Sequence, residues 1–143
     1  MSIWVYETPP VDAVNQLSRG TMLEHLGIEF TEIGEDYVKA TMPVDHRTFQ
    51  PMRILHGGAS VVLAETVGSY AANLCVDSNR FACVGLEVNA NHIRSVRSGS
   101  VTGTARPVHV GRRTQVWEIR VEDDDGRLTC IARLTMAIVE HAG

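Results

Sequence analysis

Polar and apolar residues alternate along much of this chain, and the alternation breaks decisively in one place. Between Gly57 and Val76 nearly every residue is Gly, Ala, Ser, Val or Leu, and Glu65 is the sole charge. A run of this length, closed by the turn signal Asp77-Ser78-Asn79, predicts a helix rather than a strand. Its apolar character on nearly every side predicts a helix wrapped by protein. Ser60, Gly68 and Ser69 leave room for a neighbour to approach closely.

On either side the period falls to two. Ile28–Ile33 and Tyr37–Met42 flank the Gly34-Glu35-Asp36 turn and predict a hairpin, with Val38, Ala40 and Met42 on one face. Four further strands are predicted over Phe81–Ile93, Ser100–Val110, Thr114–Glu122 and Leu128–Val139. The third turns Trp117, Ile119 and Val121 to one side and meets the fourth through Asp123-Asp124-Asp125-Gly126. At the N-terminus, Pro9-Pro10-Val11-Asp12 opens a short helix, and Thr21–Leu26 forms a second helical turn stopped by Gly27. Asp45–Leu55 carries Pro51 and leads as a loop into the central helix. Hairpin, long helix, then an antiparallel meander is an α+β order, with the sheet wrapped around one helix. No repeat, linker or low-complexity segment divides residues 1–143, which read as a single domain.

Composition changes this picture little. With 143 residues, 44% hydrophobic and 21% charged, the chain is long and apolar enough to bury a core. Glu65 and Asn73 make the central run a poor membrane span. Met1–Glu7 lacks the basic start and apolar core of a signal peptide. Cys75, Cys83 and Cys130 have no metal or disulfide spacing and fit free thiols in a reducing cytoplasm. A cytoplasmic protein without metal or membrane partner is therefore expected.

Charge is more informative. The net charge of −4 argues against nucleic acid as the main partner. Yet Val88–Trp117 contains no Asp or Glu while holding Arg94, Arg97, Arg106, Arg112, Arg113, His92 and His109. Either an anionic ligand meets this region or these residues form a solvated basic face. Arg112-Arg113 after Gly111 suits phosphate, because guanidinium forks match its geometry.

Glu65 is the candidate for chemistry. A carboxylate in an apolar helix either faces a solvent gap or a backbone group, or is buried, with the raised pKa that a base or nucleophile needs. At the start of the same helix, Gly57 and Gly58 present unpaired N–H groups and the positive end of the helix dipole. Donors of that kind stabilise a developing oxyanion. His56 reads equally as a structural cap and as a chemical group, and Gln50 alone reads as a loop amide. No phosphate-binding loop, dinucleotide glycine pattern, Gly-x-Ser-x-Gly elbow or metal-ligand cluster is present, which disfavours a Ser-His-Asp hydrolase.

Three stretches carry a family resemblance: Met42–Pro51, Leu55–Glu65 and Gly85–Ser95, the last continuing into Gly99 and His109-Val110-Gly111-Arg112. Gln50 stands six residues before His56, and Glu65 nine after it. Over almost its whole length the chain resembles the hotdog-fold acyl-CoA thioesterases, in the branch with a glutamate on the central helix. It is most similar to the 1,4-dihydroxy-2-naphthoyl-CoA hydrolases of menaquinone synthesis, and similar too to the thioesterases that clear misacylated aryl carrier proteins. The resemblance implies hydrolysis of aromatic acyl-CoA thioesters with no cofactor beyond the CoA of the substrate. It implies Glu65 as nucleophile or base, and Gly57 as the backbone donor to the carbonyl oxygen. Gln50 and His56 would orient the thioester, and Ser69 would lie near the acyl group and the attacking water. Gly85, His92, Ile93, Arg94, Ser95, His109, Val110, Gly111, Arg112, Arg113 and Thr114 would hold the CoA moiety. Tyr70 departs from the pattern, where a smaller or more flexible acyl-pocket residue is expected. A hydratase of this fold would carry an Asp and His pair entering the helix, and Asp45-His46 is wrongly arranged for that. The full set of Gln50, His56 and Glu65 weighs against a non-catalytic acyl-CoA-binding regulator.

Spacing along the helix adds an expectation about assembly. Eight residues separate Gly57 from Glu65, about 12 Å at 1.5 Å per residue. A nucleophile and an oxyanion donor must each lie about 3 Å from the same carbonyl group. One helix cannot easily supply both, whereas an antiparallel copy across a two-fold axis can. A homodimer with shared sites is expected, and the resemblance implies a further pairing into homotetramers.

Overall fold

In the computed structural model, which describes residues 1–141, the predicted elements form at the predicted places. Helices α1 (Val11–Leu17) and α2 (Met22–Leu26) precede the hairpin of β1 (Glu29–Ile33) and β2 (Val38–Pro43). Then come α3 (Gly57–Leu74), β3 (Phe81–His92), β4 (Ser100–Val110), β5 (Thr114–Asp123) and β6 (Leu128–Glu140). Thr21 caps α2 through its hydroxyl, and Gly27 ends it at φ 75°, a backbone conformation suited to glycine.

The sheet order is β1-β2-β4-β5-β6-β3, antiparallel at every junction. The simple meander expected after the helix is therefore corrected. Strand β3 does not pair with β4; it pairs with β6, from Phe81↔Glu140 to His92↔Cys130, while β4 pairs with β2. The segment between β3 and β4 is too long for a tight hairpin turn, so it crosses from one edge towards the sheet interior.

The inner face of the sheet closes on α3. Leu63, Ala64, Val67, Ala71 and Ala72 pack against Met42, Val101, Ile119, Leu134 and Met136, all fully or almost fully buried. Gly68 is the close approach expected: a Cβ there would meet Leu134 at 2.7 Å and Ile119 at 3.3 Å. Gln115, buried among these side chains, donates from Nε2 to the Ala72 carbonyl at 3.3 Å and accepts the Trp117 indole N–H at 2.8 Å.

The expected all-round wrapping does not occur within one chain. The sheet covers one side of α3, α1 and α2 face it only across a cleft, and Glu65 is exposed. Val61, Val62, Ser69 and Tyr70 on that open side are half-buried. The two sheet edges also differ. β1 has five residues, whereas β3 has twelve, bulges between Gly85 and Glu87, and leaves Val84 and Leu86 exposed. Among the described residues, no helix is long and apolar enough to cross a membrane, and the three cysteines are free thiols.

Candidate active site

The loop before α3 is built to deliver its first turn. Thr48 donates from its hydroxyl to the Pro43 carbonyl at 2.8 Å, and the Arg47 guanidinium grips Asp45 at 2.7 Å. Hydrogen bonds from the Arg47 side chain and backbone hold the Asp45 carboxyl at about 2. The His56 N–H donates to the Thr48 carbonyl, and the Leu55 N–H to the Val96 carbonyl, both at 2.8 Å.

His56 is the N-cap of α3. Its Nδ1 accepts the Gly58 N–H at 2.8 Å, which assigns the ring proton to Nε2 in the neutral imidazole. The Gly57 N–H makes no hydrogen bond among the described residues. Gly57 lies against the His92 ring, so closely that a Cβ would stand 2.9 Å from Nε2. Around them a cleft of about 350 Å³ is lined by Gln50, Gly57, His92, Ile93, Arg94 and Ser95. The Gln50 side-chain oxygen accepts the Met52 N–H within its own loop.

Two turns along α3, Glu65 opens into a different cleft, of about 540 Å³. Ser69, one turn further on, lines it with Thr66 and Tyr70. Its outer wall was not foreseen: Val14, Leu17, Leu23 and Phe30 from α1, α2 and β1 make it largely apolar. No motif marks these residues, because their apolar spacing is also that of ordinary core packing. The Phe30 and Tyr70 rings meet at 4.9 Å, tilted by 51°, and burial pushes the Tyr70 hydroxyl above its ordinary pKa. Gly85, on the inner side of β3, faces the Glu65 carboxylate.

The remaining residues lie apart. His109, Val110, Gly111, Arg112, Arg113 and Thr114 occupy the β4–β5 turn, where Arg112 and Arg113 border a cleft with Val76, Asp77 and Phe81. Thr114 pairs with Ala137, which pairs in turn with Val84, whereas His92 stands at the opposite end of β3. Eight residues of strand, about 25 Å, separate the ends. Within one chain the two arginine-bearing segments therefore do not converge. Arg112 and Arg113 have no acidic partner within 4 Å among the described residues. Arg106 does: it pairs with Asp36 at 3.2 Å and stacks over Tyr37, so part of the basic stretch is structural.

A single long helix gripped by an antiparallel sheet is the hotdog arrangement, and thioester hydrolases are one class built on it. The relatives of the chain agree. Residues 52–130 match the thioesterase superfamily. The 1,4-dihydroxy-2-naphthoyl-CoA hydrolase of Escherichia coli K12 is 53% identical over 129 residues, spanning 90% of this chain and 94% of that one. The proofreading thioesterase EntH of Cronobacter turicensis is 49% identical over 129 residues, spanning 90% and 93%. A crystal structure of a mutant thioesterase from Pseudomonas aeruginosa superposes with a TM-score of 0.95 at 52% identity, covering 97% of this chain and 99% of that one. The chain belongs to the thioesterase superfamily, and it is a hotdog-fold hydrolase of thioesters.

Proposed function

We propose that the chain hydrolyses aromatic acyl-CoA thioesters to the free acid and CoA, with Glu65 as nucleophile or general base. The observation that carries this reading is the placement of Glu65 at an apolar cleft walled by the Phe30–Tyr70 pair. An aryl group fills such a cleft while its thioester carbonyl stays beside the carboxylate. The identity to a 1,4-dihydroxy-2-naphthoyl-CoA hydrolase makes that hydroxyaryl thioester the first substrate to test. As nucleophile, Glu65 adds to the carbonyl carbon and expels the CoA thiolate, leaving a mixed anhydride that water opens. As base, it takes a proton from water attacking the same carbon. In either case the oxyanion rests on the Gly57 N–H, Gln50 and His56 orient the thioester, and Ser69 stands near the attacking water.

The site is shared between two chains in this reading. Pairing of two β3 edges about a two-fold axis covers Val84 and Leu86 and continues the sheet. It also sets the two α3 helices antiparallel, with Glu65 of one chain opposite the partner's Gly57. The same operation carries His109–Thr114 of one chain towards His92–Ser95 of the other, so that CoA is gripped from both sides. Two such dimers make the expected tetramer, whose mass light scattering reads directly.

A panel of aryl- and alkyl-CoA thioesters, with a misacylated aryl carrier protein beside them, tests the substrate. The expected result is kcat/KM highest for hydroxyaryl-CoA. A preference for the carrier-protein thioester would assign a proofreading role, the second reading that the identity to EntH favours. Binding of all thioesters without turnover would make the chain a regulator.

A further inference from the structure

Gly85 lies in the interior of β3, opposite the buried Met136 and immediately before the bulge that leaves Leu86 extra. Glycine weakens a strand interior, so its presence there marks a bulge or a close approach. Its backbone does not adopt the left-handed conformation that Gly27, Gly99 and Gly126 do, so conformation alone does not demand glycine. Space does. A Cβ at Gly85 would stand 2.5 Å from the Glu65 Oε2 and 3.6 Å from its carboxyl carbon.

Two glycines of the core have a different kind of neighbour. A Cβ on Gly68 would press on Leu134, and one on Gly103 would press on Leu63 at 3.1 Å. Those are hydrocarbon contacts inside the core. At Gly85 the contact is the tip of a side chain that is exposed in the single chain, so nothing in that chain's core has to shift when it swings aside. A methyl group there would displace the carboxylate and no core side chain.

We propose that Gly85 is a positioning residue, its missing side chain forming the seat in which the Glu65 carboxylate rests. The inference builds on the reading of Glu65 as nucleophile or base. It differs from a contact with CoA, which would act on binding. The pairing register shifts immediately after Gly85, whose bare backbone faces the carboxylate. A displacement of about 1 Å of a reacting group costs on the order of 10²-fold in rate.

The test is Gly85→Ala, alone and combined with Glu65→Asp. Gly85→Ala is expected to keep its melting temperature within a few degrees and KM within about threefold, and to lose about 10²-fold in kcat. Asp is shorter by one methylene, so its carboxylate withdraws from the added methyl. In the Glu65→Asp background, Gly85→Ala should therefore cost only a few-fold more. A parental kcat in Gly85→Ala overturns the proposal, as does a raised KM with unchanged kcat or a strictly additive double variant. A large fall in melting temperature assigns Gly85 to packing and equally overturns it. Glu65→Ala, measured alongside, separates the two levels. If Glu65→Ala keeps parental turnover, the reading of Glu65 fails; if it is inactive while Gly85→Ala is fully active, only the positioning role fails.

Discussion

His56 does at α3 what a Ser or Asp does at most helix starts, accepting the Gly58 N–H, while the Gly57 N–H has no partner among the described residues. The sequence left cap and chemistry open at this position, because histidine serves both and only geometry separates them. Glu65 was legible for the opposite reason, as a lone charge in twenty apolar and small residues. Its exposure was not legible, since a pattern shows which side chains are apolar and not how many sides one chain can cover. That exposure makes Glu65→Gln or Glu65→Ala a substitution of low structural cost. Turnover of aryl-CoA should fall by about 10³-fold, roughly 4 kcal/mol in the barrier, with an unchanged melting curve. A variant within a few-fold of the parent removes the proposed nucleophile. The cysteines give a second expectation. Burial pushes the Cys75 and Cys83 thiols up to about 11, the neighbouring Cys83 adding to the effect at Cys75, and burial raises Cys130 too. At pH 8 only about one thiol in a thousand is thiolate when the pKa stands near 11. Iodoacetamide should label the folded protein slowly and label three sites once it is unfolded, as mass spectrometry will count.

Elements were more legible than their neighbours. The period-two strands and the long helix stand where spacing put them, because each is a local consequence of which side chains face the core. Strand order is not local, and the pairing of β3 with β6 has no signature in either stretch. Nor does the N-terminal segment, which carries no periodicity and still ties the fold together. Trp4 stacks on Trp117 with centroids 6.3 Å apart and donates from its indole to the Gly34 carbonyl at 2.7 Å. The next residue, Val5, donates its N–H to the Leu74 carbonyl at the end of α3. Through Trp117 and Gln115 the same chain of contacts reaches the Ala72 carbonyl. Trp4→Ala should therefore cost about 3 kcal/mol of stability. Denaturant midpoints should fall accordingly while kcat holds, because the strap meets the far end of α3 from Gly57. Equal losses in stability and kcat would show that the strap shapes the site.

At the scale of the whole molecule, the candidate site residues divide between two clefts and one distant turn. Arg112→Ala and Arg113→Ala should raise KM for CoA thioesters and change kcat little, since phosphate lies far from the reacting carbonyl. A pantetheine thioester without those phosphates should be indifferent to both substitutions. Losses of equal size for the two substrates would remove the arginines from the CoA site. Complementation tests the sharing of sites. An inactive Glu65→Ala chain mixed one to one with an inactive Gly57→Leu chain should regain about a quarter of the parental activity, because about half the dimers are mixed and each of these holds one intact carboxylate opposite one intact N–H. Absence of recovery, with subunit exchange proven by mass, returns both groups to a single chain. The pairing of β3 with the final strand also bears on how the protein is made. β6 begins 36 positions after β3 ends, and ribosomes add about 5–20 residues per second. For seconds after its synthesis β3 lacks the strand it pairs with, and this ladder cannot form until Leu128–Glu140 has been added. A chain halted before Leu128 thus already contains Glu65 and Gly85 but lacks the strand that fixes Gly85 in the sheet.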